Sequence, residues 1–226
     1  MKAIVFDVDH TLLDFDADET EAFALTCRAA GIEPTKEQID DFWRLSYESW
    51  RIRGLHLVHS EEIRAAFHER YRTHVKWLFA NYRSVSLPSG SDELFVELLS
   101  RQFHPVADSP NILNRLSKKY DLYLATNGLS VIQQGRTKGF MPYVKKCFIS
   151  EEVGAVKPDS RFFQTMLREI GLPADEILMV GDSYPSDMIG AMSVGMRTCF
   201  IRRHEEDMPK ATDFIISRID ELEALL

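Results

Sequence analysis

From residue 105 onward, short apolar runs alternate with helical stretches, and this alternation constrains the fold more than any other feature of the chain. Leu122–Ala125, Cys147–Ile149, Ile177–Val180, Thr198–Ile201 and Phe214–Ile216 read as strands. Segments 130–139, 159–170 and 186–194 between them read as helices. Strands separated by helices imply parallel pairing, because a parallel crossover needs a helix-length return, and the helices then cover both faces of the sheet. One more apolar run, Lys2–Val8, opens the chain, so the first strand is parted from the second by residues 16–105. The expected fold is α/β: residues 1–15 and 106–226 build a parallel-sheet core, and 16–105 is inserted into it.

The inserted block reads as helical throughout. Thr35 with Gln38 three residues on, Ser60 before Glu61 and Glu62, and Ser91 before Asp92 and Glu93 mark helix starts. Ser109 is expected to cap a further helix whose first residue is Pro110. Ile63, Phe67, Tyr71, Val75, Leu78 and Tyr82 recur every three or four positions, as one face of a helix does. Leu87-Pro88-Ser89-Gly90 is a turn. Asp14, Asp16, Asp18 and Glu19 read as the charged start of the first inserted helix. Trp43, Tyr47, Trp50, Phe67, Tyr71 and Trp77 read as the core of a small bundle in preference to a stacking surface for a substrate.

Several function classes are excluded early. A net charge of −8 argues against a protein that tracks a nucleic-acid polymer, which needs a basic surface. No apolar run approaches the ~18 to 20 residues of a membrane span. Asp7 and Asp9 interrupt the first apolar run too soon for a secretion signal. Cys27, Cys147 and Cys199 are scattered and without metal spacing, which suits free thiols in a reducing compartment. The expectation is a cytoplasmic, acidic enzyme or binding protein that does not engage a membrane.

Open parallel sheets bind ligands at the carboxyl ends of their strands. The first strand runs into Asp7-Val8-Asp9-His10-Thr11, the second into Thr126-Asn127-Gly128, and the fourth into Gly181-Asp182-Ser183 with Asp187 following. The loop after the third leads to Lys157-Pro158-Asp159. Asp7, Asp9, Asp182 and Asp187 against Lys157 leave three net negative charges in one cleft, and like charges that close need a proton or a cation. An oxygen-rich acidic site suits magnesium, and the cation would let a phosphate dianion approach. Lys157 just before a helix opposes the helix macrodipole, but a lysine and a helix amino terminus together make an anion site.

These segments resemble the four motifs of the haloacid dehalogenase-like hydrolase superfamily, in order and at strand ends. The resemblance implies a Rossmann-like core with an all-helical cap domain at 16–105 that closes over the site and supplies specificity. It implies that Asp7 is the nucleophile, forming an aspartyl phosphate, and that Asp9 is the general acid and base, its pKa raised by neighbouring carboxylates. Asp7, Asp182 and the backbone carbonyl of Asp9 would hold Mg2+. Thr126, the backbone N–H groups of Asn127 and Gly128, and Lys157 would hold the phosphoryl oxygens. Thr11, Gly128 and Asp187 would support them, Asp187 by ordering Lys157 or metal-bound water. His10 occupies a variable position of its motif and reads as a bystander.

Within that superfamily, Ala125-Thr126-Asn127-Gly128 followed by Gln133-Gln134 and Arg136, then Ile149-Ser150-Glu151-Glu152-Val153-Gly154, is similar to the pyrimidine 5′-nucleotidase branch. The implied function is a phosphomonoesterase acting on a small phosphorylated metabolite, a nucleoside 5′-monophosphate in that branch. A phosphosugar or phosphoglycolate phosphatase is the alternative. A 2-haloacid dehalogenase fits less well, because it needs neither Asp9 nor a metal. A phospho-receiver switch would have no use for Asp9 or for the insertion.

Overall fold

The structure, a computed structural model, describes residues 1–52, 55, 56, 58, 60–203 and 211–226. Strands β1 (Ala3–Phe6), β2 (Asp121–Thr126), β3 (Lys146–Ile149), β4 (Ile177–Gly181), β5 (Arg197–Ile201) and β6 (Phe214–Ile216) form one sheet. Their order is β3-β2-β1-β4-β5-β6 and every pairing is parallel. This is the doubly wound order of a Rossmann-like sheet, in which the chain winds outward from β1 twice, once to each side. The sheet is buried on both faces. Ile4, Phe6, Leu122, Leu124, Leu178 and Val180 join one apolar cluster, while Ala3, Val5, Tyr123, Ala125, Ile177 and Met179 join the other. Period-two alternation therefore serves two cores at once, which is why these strands read as continuous apolar runs.

After β1 come α1 (Phe15–Ala29), α2 (Lys36–Ile52), α3 (Glu61–Ala65), α4 (Phe67–Asn81) and α5 (Ser91–Leu99). They enclose an apolar cluster of their own that includes Phe23, Phe42, Tyr71, Leu78 and Phe95, closed from the sheet side by Leu129, Ile132 and Val156. The chain enters and leaves this block through two adjacent linkers: Asp14 N–H donates to His104 O at 2.8 Å and Val106 N–H to Leu12 O at 2.9 Å. The remaining helices are α6 (Ser109–Leu116), α7 (Ser130–Arg136), α8 (Ser150–Val153), α9 (Ser160–Ile170), α10 (Ile189–Ser193) and α11 (Leu222–Leu225). Among the described residues, no helix is long and apolar enough to cross a membrane. The three cysteines are unpaired.

Local signals succeed or fail for identifiable reasons. Thr35 and Gln38 form the reciprocal capping box expected of them, with Thr35 N–H to Gln38 Oε1 at 2.8 Å and Gln38 N–H to Thr35 Oγ1 at 3.2 Å. Ser91 and Ser109 do not cap. Each is instead the first helical residue, and each hydroxyl donates to a backbone carbonyl, that of Pro88 and of Leu12 respectively. The stripe from Ile63 to Tyr82 is buried as expected, but it spans two helices that break at Ala66. Periodicity reports which face is buried and is blind to one residue leaving the helical region. The 186–194 segment begins earlier, as a wide π turn over Tyr184–Met188 that leads into α10.

Candidate active site

The carboxyl edge of the sheet gathers the polar side chains. Asp7 continues β1, its N–H donating to Val180 O at 2.9 Å, and its side chain is almost fully buried. The loop then folds tightly on Val8, whose carbonyl accepts from the N–H groups of Thr11, Leu12 and Leu13. That fold brings Thr11 Oγ1 back to 3.2 Å from Asp7 Oδ2 and 3.3 Å from Asp182 Oδ1. A hydroxyl has one proton, so Thr11 serves one carboxylate at a time.

Lys157 stands at the centre. Its ammonium donates to Asp7 Oδ1 at 2.6 Å, Asp187 Oδ1 at 2.7 Å and Ala125 O at 2.8 Å, so all three donors are used. Burial alone would lower its pKa, but the Asp187 and Asp7 carboxylates more than offset this and hold the charge on it. Asp187 is fully buried and its second oxygen accepts Ser183 N–H at 3.2 Å. The π turn delivers it so close to β4 that a Cβ on Gly181 would lie 2.2 Å from Asp187 Oδ2, so only glycine fits there. Asp182 pairs with Arg203 at 3.1 Å. Burial pushes Asp182 up to about 7, with Asp7 adding to the shift. Burial pushes Asp187 up to about 8, against the pull of Lys157.

Carboxylate oxygens of Asp7, Asp182 and Asp187 lie within 4.8 Å of one another. Three hard oxygen donors, two of them reluctant to ionise unaided, make a set that a hard divalent cation would satisfy. The residues present fit magnesium.

Beside this cluster, Thr126 Oγ1 is buried and has no hydrogen-bond partner. Buried hydroxyls are nearly always satisfied, so this orphan on the cavity wall is a donor free for a ligand. The Asn127 side chain is spent otherwise. It brackets the Lys157 backbone, accepting Lys157 N–H at 2.8 Å and donating to Lys157 O at 2.9 Å. Gly128 N–H is likewise taken, by Ser150 Oγ at 3.0 Å. The absence of a side chain at Gly128 makes room for Gln133, whose side chain a Cβ there would meet at 2.8 Å. Of the lysine and helix end expected to make an anion site, the helix end is taken: Asp159 caps α9 by accepting Arg161 N–H at 2.9 Å.

Asp9 stands apart from the carboxylate cluster. Its Oδ2 accepts Gln133 Nε2 at 2.7 Å, and its Oδ1 is bonded by Arg136 Nη1. The expected carboxylate neighbours are therefore replaced by an amide and a guanidinium. Arg136, fully buried, also binds Asp18, which in turn accepts from the backbone and ring nitrogens of His104 at 3.0 and 2.8 Å. Asp18 and Glu19 are thus no solvated helix start; Asp14, which accepts Ala17 N–H at 3.1 Å, and the exposed Asp16 keep that role. A signal was available. Counting back from the buried residues Ala22, Phe23, Thr26 and Cys27 in steps of a helical turn places Asp18 and Glu19 on the buried face of α1. Arg203 left no sequence signal.

A cavity of about 770 Å³ runs from these residues into the helical block. Asp7, Thr126 and Lys157 line it from the sheet edge, and Trp43, Tyr47 and Trp50 line it from α2. Trp77 is not among its lining residues, whereas Phe67 and Tyr71 serve both the cavity wall and the helical core. His10, in a left-handed backbone conformation with φ of 59°, also faces the cavity.

Comparison with known proteins agrees with this geometry. The family described as haloacid dehalogenase-like hydrolase matches residues 1–195. The pyrimidine 5′-nucleotidase PynA of Streptococcus pneumoniae is 30% identical over 90% of the chain and 84% of its own length. The pyrimidine 5′-nucleotidase YjjG of Escherichia coli is 28% identical over 99% of the chain and 96% of its own length. A crystal structure of the HAD-hydrolase YfnB of Bacillus subtilis, bound to magnesium, superposes with a TM-score of 0.81 at 25% identity, covering 100% of this chain and 98% of that one.

Proposed function

The chain belongs to the haloacid dehalogenase-like hydrolases, and from that premise we propose that it is a magnesium-dependent phosphomonoesterase that hydrolyses nucleoside 5′-monophosphates through an aspartyl phosphate on Asp7. The observation that carries the reading is Lys157, bound at once to Asp7 and Asp187 beside the unpartnered Thr126 hydroxyl. A fixed cation and a free donor next to a buried carboxylate are what an in-line attack on a phosphoryl group requires. The nucleotide part rests on the two pyrimidine 5′-nucleotidase relatives and on the aromatic lining of the cavity.

In this mechanism an Asp7 oxygen attacks phosphorus, and the bond from phosphorus to the ester oxygen breaks. Asp9 gives its proton to the departing alkoxide, then takes one from the water that attacks the aspartyl phosphate. Inorganic phosphate leaves and Asp7 is restored. Thr126 holds a phosphoryl oxygen through both steps, Lys157 turns the donor it gives Asp7 to another as Asp7 takes up the phosphoryl group, and Thr11 keeps Asp7 oriented. Asp7, Asp182 and the backbone carbonyl of Asp9 would hold magnesium, which when bound neutralises the carboxylates and the incoming dianion. Asp187 positions Lys157.

The test is a panel of phosphate monoesters assayed with magnesium and with excess chelator. Turnover of nucleoside 5′-monophosphates that disappears with the chelator is the expected result. Full activity in chelator would remove the metal from the scheme, and turnover confined to phosphosugars would remove the nucleotide.

A further inference from the structure

The cavity lining is of two chemical kinds. Besides the carboxylates and Lys157 it includes aromatic and aliphatic side chains, Trp43, Trp50, Phe67 and Leu78 among them. In that lining, contributed by α1, sits the carboxyl group of Glu19, only 7% exposed. Its Oε1 accepts the hydroxyl of Ser46, on α2, at 2.7 Å, and Ser46 lines the cavity as well. A carboxyl buried among apolar side chains is costly, and a single hydroxyl partner compensates little of that cost. A few polar groups set in an otherwise apolar pocket are how small-molecule sites fix orientation and choose between ligands.

We propose that Glu19, steadied by Ser46, reads the leaving group of the substrate, recognising a planar uncharged ring that presents a hydrogen-bond donor beside an acceptor, the edge of a pyrimidine base. The inference rests on the nucleotide reading above and adds the residue that enforces it. The charged and titratable groups around Glu19 are Asp16 on its own helix, Arg136 from α7 and Tyr71 from α4. Burial pushes Glu19 up to about 7; the Ser46 hydroxyl opposes this, Asp16 adds to it and Arg136 opposes it. Near neutrality a protonated carboxyl donates through its O–H and accepts through its carbonyl. It complements N3 and the amino group of cytosine, or O4 and N3–H of uracil. An ionised carboxylate only accepts, and would suit the paired donors of guanine instead.

The experiment measures kcat/KM for UMP, CMP, GMP and ribose 5-phosphate, which carries no base, in the wild type, Glu19→Gln and Glu19→Leu. The wild type is expected to prefer UMP and CMP to ribose 5-phosphate near neutrality and below, with GMP gaining on them as Glu19 ionises above about 7. Glu19→Leu should lower kcat/KM on both by about tenfold or more while leaving ribose 5-phosphate within about twofold. Glu19→Gln should keep the preference, because an amide also carries a donor and an acceptor. Above the Glu19 pKa of about 7 the wild-type preference should fall, whereas that of Glu19→Gln should not. This pH comparison decides the matter even if Glu19→Leu does not fold. A pyrimidine preference that survives in Glu19→Leu, or equal losses on all four esters, overturns the role of Glu19 and leaves the nucleotide reading standing. So does a Glu19→Gln variant whose preference follows pH as the wild type does. A wild type that cleaves ribose 5-phosphate but no nucleotide overturns both.

Discussion

Two nitrogens of Arg136 bond one carboxylate oxygen of Asp18, Nε at 2.8 Å and Nη2 at 2.5 Å, and neither side chain reaches solvent. Asp18 belongs to the first helix of the inserted block and Arg136 to the last turn of α7, beside the sheet. The remaining terminal nitrogen of the guanidinium holds Asp9. One buried cation therefore joins the helical block to the residue proposed to carry the proton.

Replacing Arg136 by methionine leaves the buried Asp18 with His104 alone as its partner, a loss of a buried ion-pair partner that costs about 3–5 kcal/mol in comparable sites. For a chain of this size the melting temperature should fall by roughly ten degrees. The catalytic effect should be selective: Asp9 loses its anchor, so esters with poor leaving groups should suffer more than p-nitrophenyl phosphate. Arg136→Lys should recover part of both, since an ammonium restores charge without the fork. An Arg136→Met variant that melts with the wild type would show that the pair contributes nothing.

Thr126→Val removes the orphaned hydroxyl and keeps the shape. An unsatisfied buried hydroxyl destabilises a fold by about 1–3 kcal/mol, so the variant should melt at or above the wild-type temperature. Its activity should nonetheless drop by about a hundredfold, the usual worth of one oxyanion donor. Calorimetry in phosphate buffer separates the two effects: the anion should stabilise the wild type and barely affect the variant. Lower stability with unchanged turnover would make Thr126 a packing residue.

The raised carboxyls set the pH dependence of the metal-free protein. Asp182 and Asp187 titrate near 7 and 8 in the folded state and near 4 when unfolded. Between those limits the folded state binds more protons than the unfolded one, so stability falls as pH rises from about 4 to about 8. Below that window both groups are protonated in either state and contribute nothing. Magnesium competes with those protons, and the increase in melting temperature it causes should grow steadily from pH 5 to pH 8. Melting curves with and without the metal check this. An increase independent of pH would mean that the ion does not meet these carboxylates.

How much of this was legible in the sequence follows from what each signal encodes. Strand ends carry their polar residues in sequence, so Asp7, Asp182 and Lys157 could be brought to one edge by topology alone. Asp187 is assigned to Lys157 or to metal-bound water only through the family resemblance, because its aim depends on a π turn over Tyr184–Met188 that no periodicity announces. Asp18 and Glu19 were hidden by their exposed neighbours: Asp14, Asp16 and Thr20 make the stretch look solvated, while helical phase turns two of its acids inward. Their partners Arg136 and Ser46 lie on other helices, and helix-to-helix pairing has no linear signature.

The aromatic residues of the helical block show the same division and lead to the last prediction. Trp43, Trp50 and Trp77 share a helical context, but only the first two line the cavity. Trp50 also packs edge-on against Phe67, Tyr71 and His74, at centroid distances of 6.2, 5.2 and 5.4 Å. Trp43 has a single ring partner among the described residues, Tyr47, stacked at 5.6 Å. Trp43→Ala should therefore weaken nucleotide use with little effect on stability. Trp50→Ala should do both, and Trp77→Ala should leave the ratio of nucleotide to p-nitrophenyl phosphate activity unchanged. Base stacking on an aromatic side chain is worth about 1–3 kcal/mol, so kcat/KM for a nucleoside monophosphate should fall roughly tenfold to a hundredfold in Trp43→Ala. Activity on p-nitrophenyl phosphate should hold, because its ring is the leaving group itself and stays near Asp9. If Trp43→Ala lowers both activities in proportion, the aromatic lining of the cavity shapes the fold and does not hold the base.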